Sequence, residues 1–435
     1  MLTYELEYSR TEPLYLQIYE HIRNDMESGH IRAGEKLPSK RGLSSQLGVS
    51  IVTVENAYHQ LEAEGYIKAV PKKGWFAEKI SISQKEREIS KQEFRETEEI
   101  QNPPEHMLFP FSVWAKIMRE ILASDQTRLM TRTPCEGAYE LRSAIAEHLR
   151  NFRNMQVKPE QIIIGAGTEY LYMLLHLLLG ESVFGVEEPG YSKISDIYTD
   201  LGLQCIRIPM QTDGIDLNAL QNSETEIMHI SPSHHFPTGT VTSVGKRYAL
   251  LGWASEQDNR YIIEDDYDSE FRLSGKPIPS LFSLDVMDKV IYMNTFSKTL
   301  TPTIRISYMI LPFSLLEQFH QKLSRYACTV SNFEQYALAE FIKKGCFEKH
   351  LHRMRKYYKD RRNQLFSDMK LYQIFNNSVI MNENAGLHCL VKFRTELSDE
   401  DLLKEVRKSG FQAAALYEYY HKKPEQNLHI LLFYY

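Results

Sequence analysis

Apolar side chains recur along this chain with two different periods, and the period changes near residue 107. Through the first part they come three or four residues apart: Leu14, Ile18 and Ile22, then Val54, Ala57, Tyr58 and Leu61. That spacing puts one apolar stripe on each helix. A first helix is predicted over 14–27, stopped by Gly29. A second follows Ser39, whose hydroxyl can cap it, and runs to Leu47; Gly48 permits a tight turn, and a third helix starts near Ser50. Beyond Gly65, Tyr66-Ile67-Lys68-Ala69-Val70 and Trp75-Phe76-Ala77 flank Pro71-Lys72-Lys73-Gly74, which predicts two short strands around a turn. From 107 onward short apolar runs (161–164, 183–186, 227–230, 261–264, 290–293 and 308–311) alternate with helical or loop segments. This rhythm predicts an α/β fold with a mainly parallel sheet covered by helices. After about 312, long basic helices precede strands at 387–393 and 429–435, the pattern of a smaller α+β lobe.

Residues 80–106 carry few apolar side chains and end in Pro103-Pro104, as expected of a solvated linker. The domains expected are therefore 1–79, a linker at 80–106, a large domain at 107–311 and a small one at 312–435. Composition adds exclusions. With 25% charged and 43% hydrophobic residues in 435, the chain is neither largely disordered nor collagen-like. Its 51 Lys plus Arg against 57 Asp plus Glu give a net charge of −6, so any nucleic-acid face must be a local patch. The longest apolar stretch, 171–179, is broken by His176 and too short to cross a bilayer, and no membrane partner is expected. The start, MLTYELEYSR, lacks the apolar core of a secretory signal. Cys135, Cys205, Cys328, Cys346 and Cys389 form no CxxC pair, so reduced thiols in a cytoplasmic protein are expected, without zinc or disulfides.

Helix, Gly-containing turn, helix is the arrangement that lays a second helix in the DNA major groove. Here that helix would present Ser50, Ile51 and Thr53, and the hairpin tip would offer Lys72 and Lys73 to phosphates. Residues 1–80 hold ten basic against eleven acidic residues, which leaves protein contact as the plainer alternative. The strings P-L-Y-x-Q-I, G-x-I-x-x-G-E-K-L-P-S-x-R, L-G-V-S, T-V-x-x-A-Y and L-E-A-E-G-Y-I resemble the winged helix of the GntR regulator family over 11–79. The resemblance implies a double-stranded DNA operator, with Lys40, Arg41, Ser50, Thr53, Lys72 and Gly74 at the DNA face. One departure is Ile51, where the family usually has arginine; an apolar contact with a thymine methyl would replace the usual base contact.

Four clusters in the α/β region suit pyridoxal phosphate. Val290 to Ser297 runs from a buried strand into hydroxyl residues and then Lys298, with Arg305 beyond. Such a lysine can form a Schiff base, while Thr295, Ser297 and Arg305 hold the phosphate. Tyr261-Ile262-Ile263-Glu264-Asp265-Asp266-Tyr267 ends a strand in carboxylates; Asp265, favoured over Asp266, would pair with the pyridine nitrogen, and Tyr267 with the ring hydroxyl. Gly165-Ala166-Gly167-Thr168-Glu169 opens a helix whose N–H groups can approach a phosphate. In Glu188-Pro189-Gly190-Tyr191 the tyrosine could stack on the ring. Singly these read as a surface lysine, a helix cap, a tight turn and core packing. In this order, with Pro232-Ser233-His234-His235-Phe236-Pro237-Thr238-Gly239 between them, they resemble the fold-type-I aminotransferases throughout 107–435.

With the winged helix in front, the whole chain resembles the MocR branch of the GntR family. The strings at 263–272 and 297–308 are especially close to it. The resemblance implies pyridoxal 5'-phosphate held as an internal aldimine at Lys298, and a homodimer with its sites near the subunit interface. Three departures limit the chemistry. Phe236 stands where aminotransferases place the asparagine of the ring hydroxyl; the partner-subunit tyrosine expected a few residues before Gly137 is missing, leaving Arg132 to reach the phosphate instead; and no arginine follows Arg407 to clamp a substrate carboxylate. Lys193 is the candidate carboxylate contact, with His421, Lys422 and Lys423 as further ones. The function expected is a transcription regulator that senses an amine, an amino acid or the cofactor itself at Lys298, with a residual transaminase half-reaction open. The alternatives are a working aminotransferase with an appended DNA-binding domain, and a DNA-binding protein whose α/β region is only a dimerisation scaffold.

Overall fold

In the computed structural model, Tyr4, Leu6, Glu7 and residues 13–79, 108–124, 126–271, 278–382 and 386–435 are described. The linker expected at 80–106 lies outside the described residues. The chain divides into two compact units, Met1–Glu99 and Ile100–Tyr435.

In the first unit α1 spans Leu14–Glu27, α2 Lys40–Leu47 and α3 Ile51–Ala63, followed by strands β1 (Ile67–Val70) and β2 (Gly74–Ala77). The predicted caps are present. The Ser39 hydroxyl accepts the Gly42 N–H at 3.0 Å, and that of Ser50 accepts the Thr53 N–H at 3.1 Å. Each satisfies a donor the helix start leaves free. Gly48 ends α2 at φ 67°, a left-handed value a side chain would disfavour. Ile18, Ile22, Leu43, Val54, Ala57, Tyr58 and Leu61 are fully buried and hold the three helices together. Strands β1 and β2 pair antiparallel, with Val70 opposite Gly74, so Pro71, Lys72 and Lys73 form the tip of a wing.

The second unit begins with α4 (Phe111–Ala123), α5 (Gln126–Met130) and α6 (Tyr139–Arg153). Strands and helices then alternate: β3 (Ile162–Gly165), α7 (Thr168–Leu179), β4 (Phe184–Glu188), α8 (Ser192–Asp200), β5 (Cys205–Gln211), β6 (Gly214–Ile215), α9 (Leu217–Gln221), β7 (Ile227–Ile230), α10 (Val244–Ser255) and β8 (Tyr261–Asp265). After α11 (Leu281–Leu284) come β9 (Val290–Thr295), α12 (Phe296–Thr299) and β10 (Ser307–Ile310). These strands form an eight-stranded sheet in the order β3-β10-β9-β8-β7-β4-β5-β6. The β9, β8, β7, β4 and β5 neighbours are parallel, so the interior strands are buried on both faces and read as unbroken apolar runs. Strand β10 is antiparallel to both β9 and β3.

The remaining helices are α13 (Phe313–Leu323), α14 (Asn332–Lys343), the 24-residue α15 (Cys346–Met369) and α16 (Asp399–Lys408). Helices α13 and α14 pack back on α7 and on α6 and α4. Strands β11 (Ser378–Met381), β12 (His388–Phe393), β13 (Ala413–Ala415) and β14 (Ile430–Tyr434) form a separate antiparallel sheet in the order β11-β12-β14-β13. The fold is α/β, with a mainly parallel central sheet and a smaller α+β lobe. Among the described residues no helix is long and apolar enough to cross a membrane.

Candidate functional site

The carboxyl ends of β4, β8 and β9 open on one edge of the large sheet, where α/β folds place ligands. Strand direction then decides what joins them. Because β10 runs backwards, its start lies at that same edge. The register sets Ser307 opposite both Thr295 and Gly165, so the ends of β3 and β9 and the start of β10 share one row. Arg305, two residues before Ser307, is thereby delivered beside Gly167 and Lys298. A cavity of about 410 Å³ lies there, and Gly167, Thr168, Glu169, Tyr191, Lys193, Asp265, Tyr267, Thr295, Ser297, Lys298 and Arg305 all line it. Every cofactor residue expected from the sequence is thus gathered in one place.

The phosphate end is tight. Gly167 sits at φ 93° as the residue before α7, and a Cβ there would lie 2.5 Å from Arg305 Nη2. Arg305 itself holds φ 50°, a left-handed value that costs a non-glycine residue about 1 kcal/mol or more. Thr295 Oγ1 accepts the Ser297 N–H at 3.1 Å and the Ser307 hydroxyl at 2.8 Å, so its own proton remains for a further acceptor. Glu169 accepts from Arg305 Nη2 at 2.8 Å and from Lys193 Nζ at 2.6 Å. Partial burial pushes the Glu169 carboxyl up, but the Lys193 hydrogen bond, its own backbone N–H and the two cations bring it down to about 2. It is therefore ionised, and the charge of Lys193 is engaged.

At the far end the two adjacent aspartates face opposite ways, as neighbours on a strand must. Asp266 is bound by Arg153 at 2.5 Å and the Tyr292 hydroxyl at 2.8 Å, away from the cavity. Asp265 faces the cavity. Its Oδ2 accepts the Tyr172 hydroxyl at 3.3 Å, while its buried Oδ1 has no hydrogen-bond partner. A buried carboxylate oxygen without a donor is costly, and a pyridinium N–H is a donor that fits it. Lys298 is exposed and makes no hydrogen bond or ion pair among the described residues. The orphaned Asp265 oxygen, the glycine at the phosphate end and the unpaired lysine amine together fit pyridoxal 5'-phosphate.

Several lining residues were not legible in the sequence. The Glu187 side chain is only 9% exposed, and this burial, with the charge of Asp265 added, holds its carboxyl well above the usual range against the pull of the Ser231 N–H. His388 is held well below its ordinary pKa, first by burial and then by His234, His235 and Lys298. Tyr358, Tyr434 and Tyr435 come from the carboxy-terminal third. For Tyr434 and Tyr435 the sequence signal is the aromatic run Phe433-Tyr434-Tyr435; Glu187, His388 and Tyr358 carry none. Phe236, placed where a ring-hydroxyl donor was missed, stands edge-on to Tyr191 at 5.9 Å and to Tyr419 at 5.1 Å, forming an apolar wall.

In the other unit Lys40 is drawn inward. Its ammonium bonds Glu55 at 2.6 Å and lies 5.4 Å from the centre of the Trp75 ring. Ser50 and Thr53 pair their hydroxyls at 2.8 Å. Arg41, Lys72 and Lys73 are exposed; Gly74, at φ 112°, closes the turn of the wing.

Fold and site together define a winged helix-turn-helix joined to a fold-type-I aminotransferase-like domain. Residues 14–77 match the family model of bacterial regulatory proteins of the gntR family, and residues 101–421 that of the class I and II aminotransferases. The chain is 39% identical over 413 residues to the HTH-type transcriptional regulator YdeL of Bacillus subtilis, covering 92% of this chain and 88% of that one. It is 31% identical to the probable rhizopine catabolism regulatory protein MocR of Rhizobium meliloti, over 95% of this chain and 89% of that one. With the HTH-type pyridoxine biosynthesis transcriptional regulator PdxR of Corynebacterium glutamicum it shares 33% identity, over 86% and 82%. Among solved structures, the kynurenine aminotransferase of Pyrococcus horikoshii superposes with a TM-score of 0.65 at 23% identity, over 75% of this chain and 83% of that one. That likeness concerns the fold. The chain belongs to the MocR-type branch of the GntR regulators.

Proposed function

We propose that this protein is a transcription regulator whose grip on DNA answers to pyridoxal 5'-phosphate chemistry at Lys298. The observation that carries the reading is the convergence of Lys298, Asp265 with its orphaned oxygen, and Arg305 on one cavity, in a chain that also bears a winged helix. Arg305, Thr295, Ser297 and the first turn of α7 from Gly167 through Thr168 and Glu169 would hold the phosphate. Asp265 would take the pyridine nitrogen, Tyr267 the ring hydroxyl, and Tyr191 a ring face. When bound, the cofactor supplies an aldehyde that can exchange Lys298 for an incoming amine. The ligand read in this way is an amine, an amino acid or the cofactor itself. A carboxylate approaching Lys193 has to compete with Glu169 for it. A homodimer would present two winged helices to two operator half-sites.

The test uses the full chain. Duplex affinity is measured with and without pyridoxal 5'-phosphate, and then across a panel of amines and amino acids, while absorbance follows the cofactor. A cofactor- or amine-dependent change in affinity is expected, since coupling between the two sites is what regulation requires. Affinity that no cofactor or amine alters would overturn the reading. A second reading, a working aminotransferase with an appended domain, is favoured by the lysine, aspartate and arginine of the cavity. Steady turnover of an amino donor and a keto acid, without specific DNA binding, would establish it instead.

A further inference from the structure

The polar side chains expected to read bases are occupied within the winged helix. Ser50 and Thr53 bond each other's hydroxyls at 2.8 Å, and Ser50 also caps α3. Lys40 is tied to Glu55 at 2.6 Å, which in turn neutralises that carboxylate on the first turns of α3. Helix α3, IVTVENAYHQLEA, contains neither arginine nor lysine, the side chains that take the two acceptors of guanine. What its leading turns offer outward is apolar: Ile51 is 45% exposed and Val52 61%. Four residues after Val52, on the same face, Asn56 is exposed and makes no hydrogen bond among the described residues. An apolar side chain in the major groove contacts the thymine methyl, and an asparagine amide matches adenine N6 and N7. Both point to the same base pair. Arg41, Lys72 and Lys73, exposed on α2 and the wing, supply the sequence-independent charge for the phosphates.

We infer that α3 reads a half-site of A·T base pairs, with Ile51 and Val52 on thymine methyl groups and Asn56 on an adenine. The assignment rests on the DNA-binding reading above, and it names what that site recognises. It separates base readout from the basic contacts: the salt dependence of binding comes from Arg41 and the wing, and the choice of sequence from three uncharged side chains.

The test selects duplexes from a random-sequence pool with the full-length protein. Each selected thymine is then replaced by uracil, which lacks only the methyl, and each adenine by 7-deazaadenine, which lacks N7. A·T pairs are expected at adjacent positions of each half-site. Loss of one contacted methyl is expected to weaken binding about four-fold, and loss of the adenine acceptor roughly ten-fold. Neither change should alter the salt slope. The I51S/V52S variant, altered only at exposed positions and left with no apolar group to meet the methyl, should bind thymine and uracil duplexes equally well. Selection of G·C-dominated half-sites, or indifference of the unaltered protein to uracil, overturns the assignment and leaves DNA binding standing. Failure to enrich any duplex overturns DNA binding itself, and the assignment with it.

Discussion

Gly167→Ala isolates the phosphate end of the cavity from the rest of the site. The added methyl would lie 2.5 Å from Arg305 Nη2 and 2.8 Å from Glu169 Oε2. Both atoms end flexible side chains, and the Arg305 side chain is 52% exposed, so the guanidinium can swing away. The fold therefore loses mainly the left-handed penalty at φ 93°, about 1–2 kcal/mol. Cofactor binding loses more. A displaced guanidinium forfeits a charge-assisted hydrogen bond worth roughly 1.5–3 kcal/mol, or about 10- to 100-fold in Kd. The assay titrates purified full-length protein with pyridoxal 5'-phosphate and, separately, with pyridoxal, which lacks the phosphate. Pyridoxal affinity should stay within about two-fold of the unaltered protein, because the contact it lacks is the one removed. A variant that binds the phosphorylated form normally, or that loses both ligands in parallel, would refute the placement of the phosphate against Arg305.

Other substitutions probe separate parts of the molecule. Lys298→Ala should abolish the visible absorption of the loaded protein and borohydride trapping, with thermal stability unchanged because the side chain is exposed; colour that persists would assign the bond to another lysine. Ser50→Ala removes the α3 cap and should cost the winged helix about 1 kcal/mol, seen as a lower melting temperature of that unit; an unchanged melt would show that the hydroxyl pair with Thr53 contributes nothing. His350 is buried and hydrogen-bonded to the Thr299 carbonyl at 2.9 Å, and burial lowers its pKa to about 4. In the unfolded chain the imidazole titrates near 6.5 and therefore binds the proton more readily, so this histidine's contribution is full above that pH and is lost as pH falls towards 4. Glu187 and Glu264, raised by burial, act with the opposite sign, so the clean readout is a difference. The stability gap between the unaltered protein and His350→Asn should narrow by about 2 kcal/mol from pH 7.5 to pH 5 in urea unfolding; a gap that widens would contradict the buried neutral imidazole.

Much of the site was legible because its parts are local. Lys298 follows a buried strand by three residues, Asp265 ends another, and Gly167 opens a helix; the order of these motifs along the chain carried the likeness to aminotransferases before any coordinate did. Alternation along the strand sends Asp265 to the cavity and Asp266 to Arg153. Other residues had no local signature. Glu187, one position from a motif that drew notice, reads as a surface acid. His388 and Tyr434 belong to strands whose alternation shows burial but not what they are buried against. On the DNA side the sequence does not show local pairing: the hydroxyls of Ser50 and Thr53 bond each other, and the Lys40 ammonium bonds Glu55, fifteen residues on.

Sequence alone determined the elements and their caps, because helix period, strand runs, Ser39, Ser50 and the turn glycines act within a few residues. It also determined the two-part plan, a winged helix ahead of an α/β domain, because each half carries its own motif string. Tertiary structure decided the direction of β10. Periodicity reports which side chains are buried and is blind to which way a strand runs beside its neighbour. That reversal lines up Ser307 with Thr295 and Gly165 and so brings Arg305 to Gly167 and Lys298. Tertiary structure also returned α13 and α14 to the large lobe, through packing on helices more than a hundred residues earlier. Contacts at that separation depend on the closed fold as a whole, and no window of the chain contains both partners.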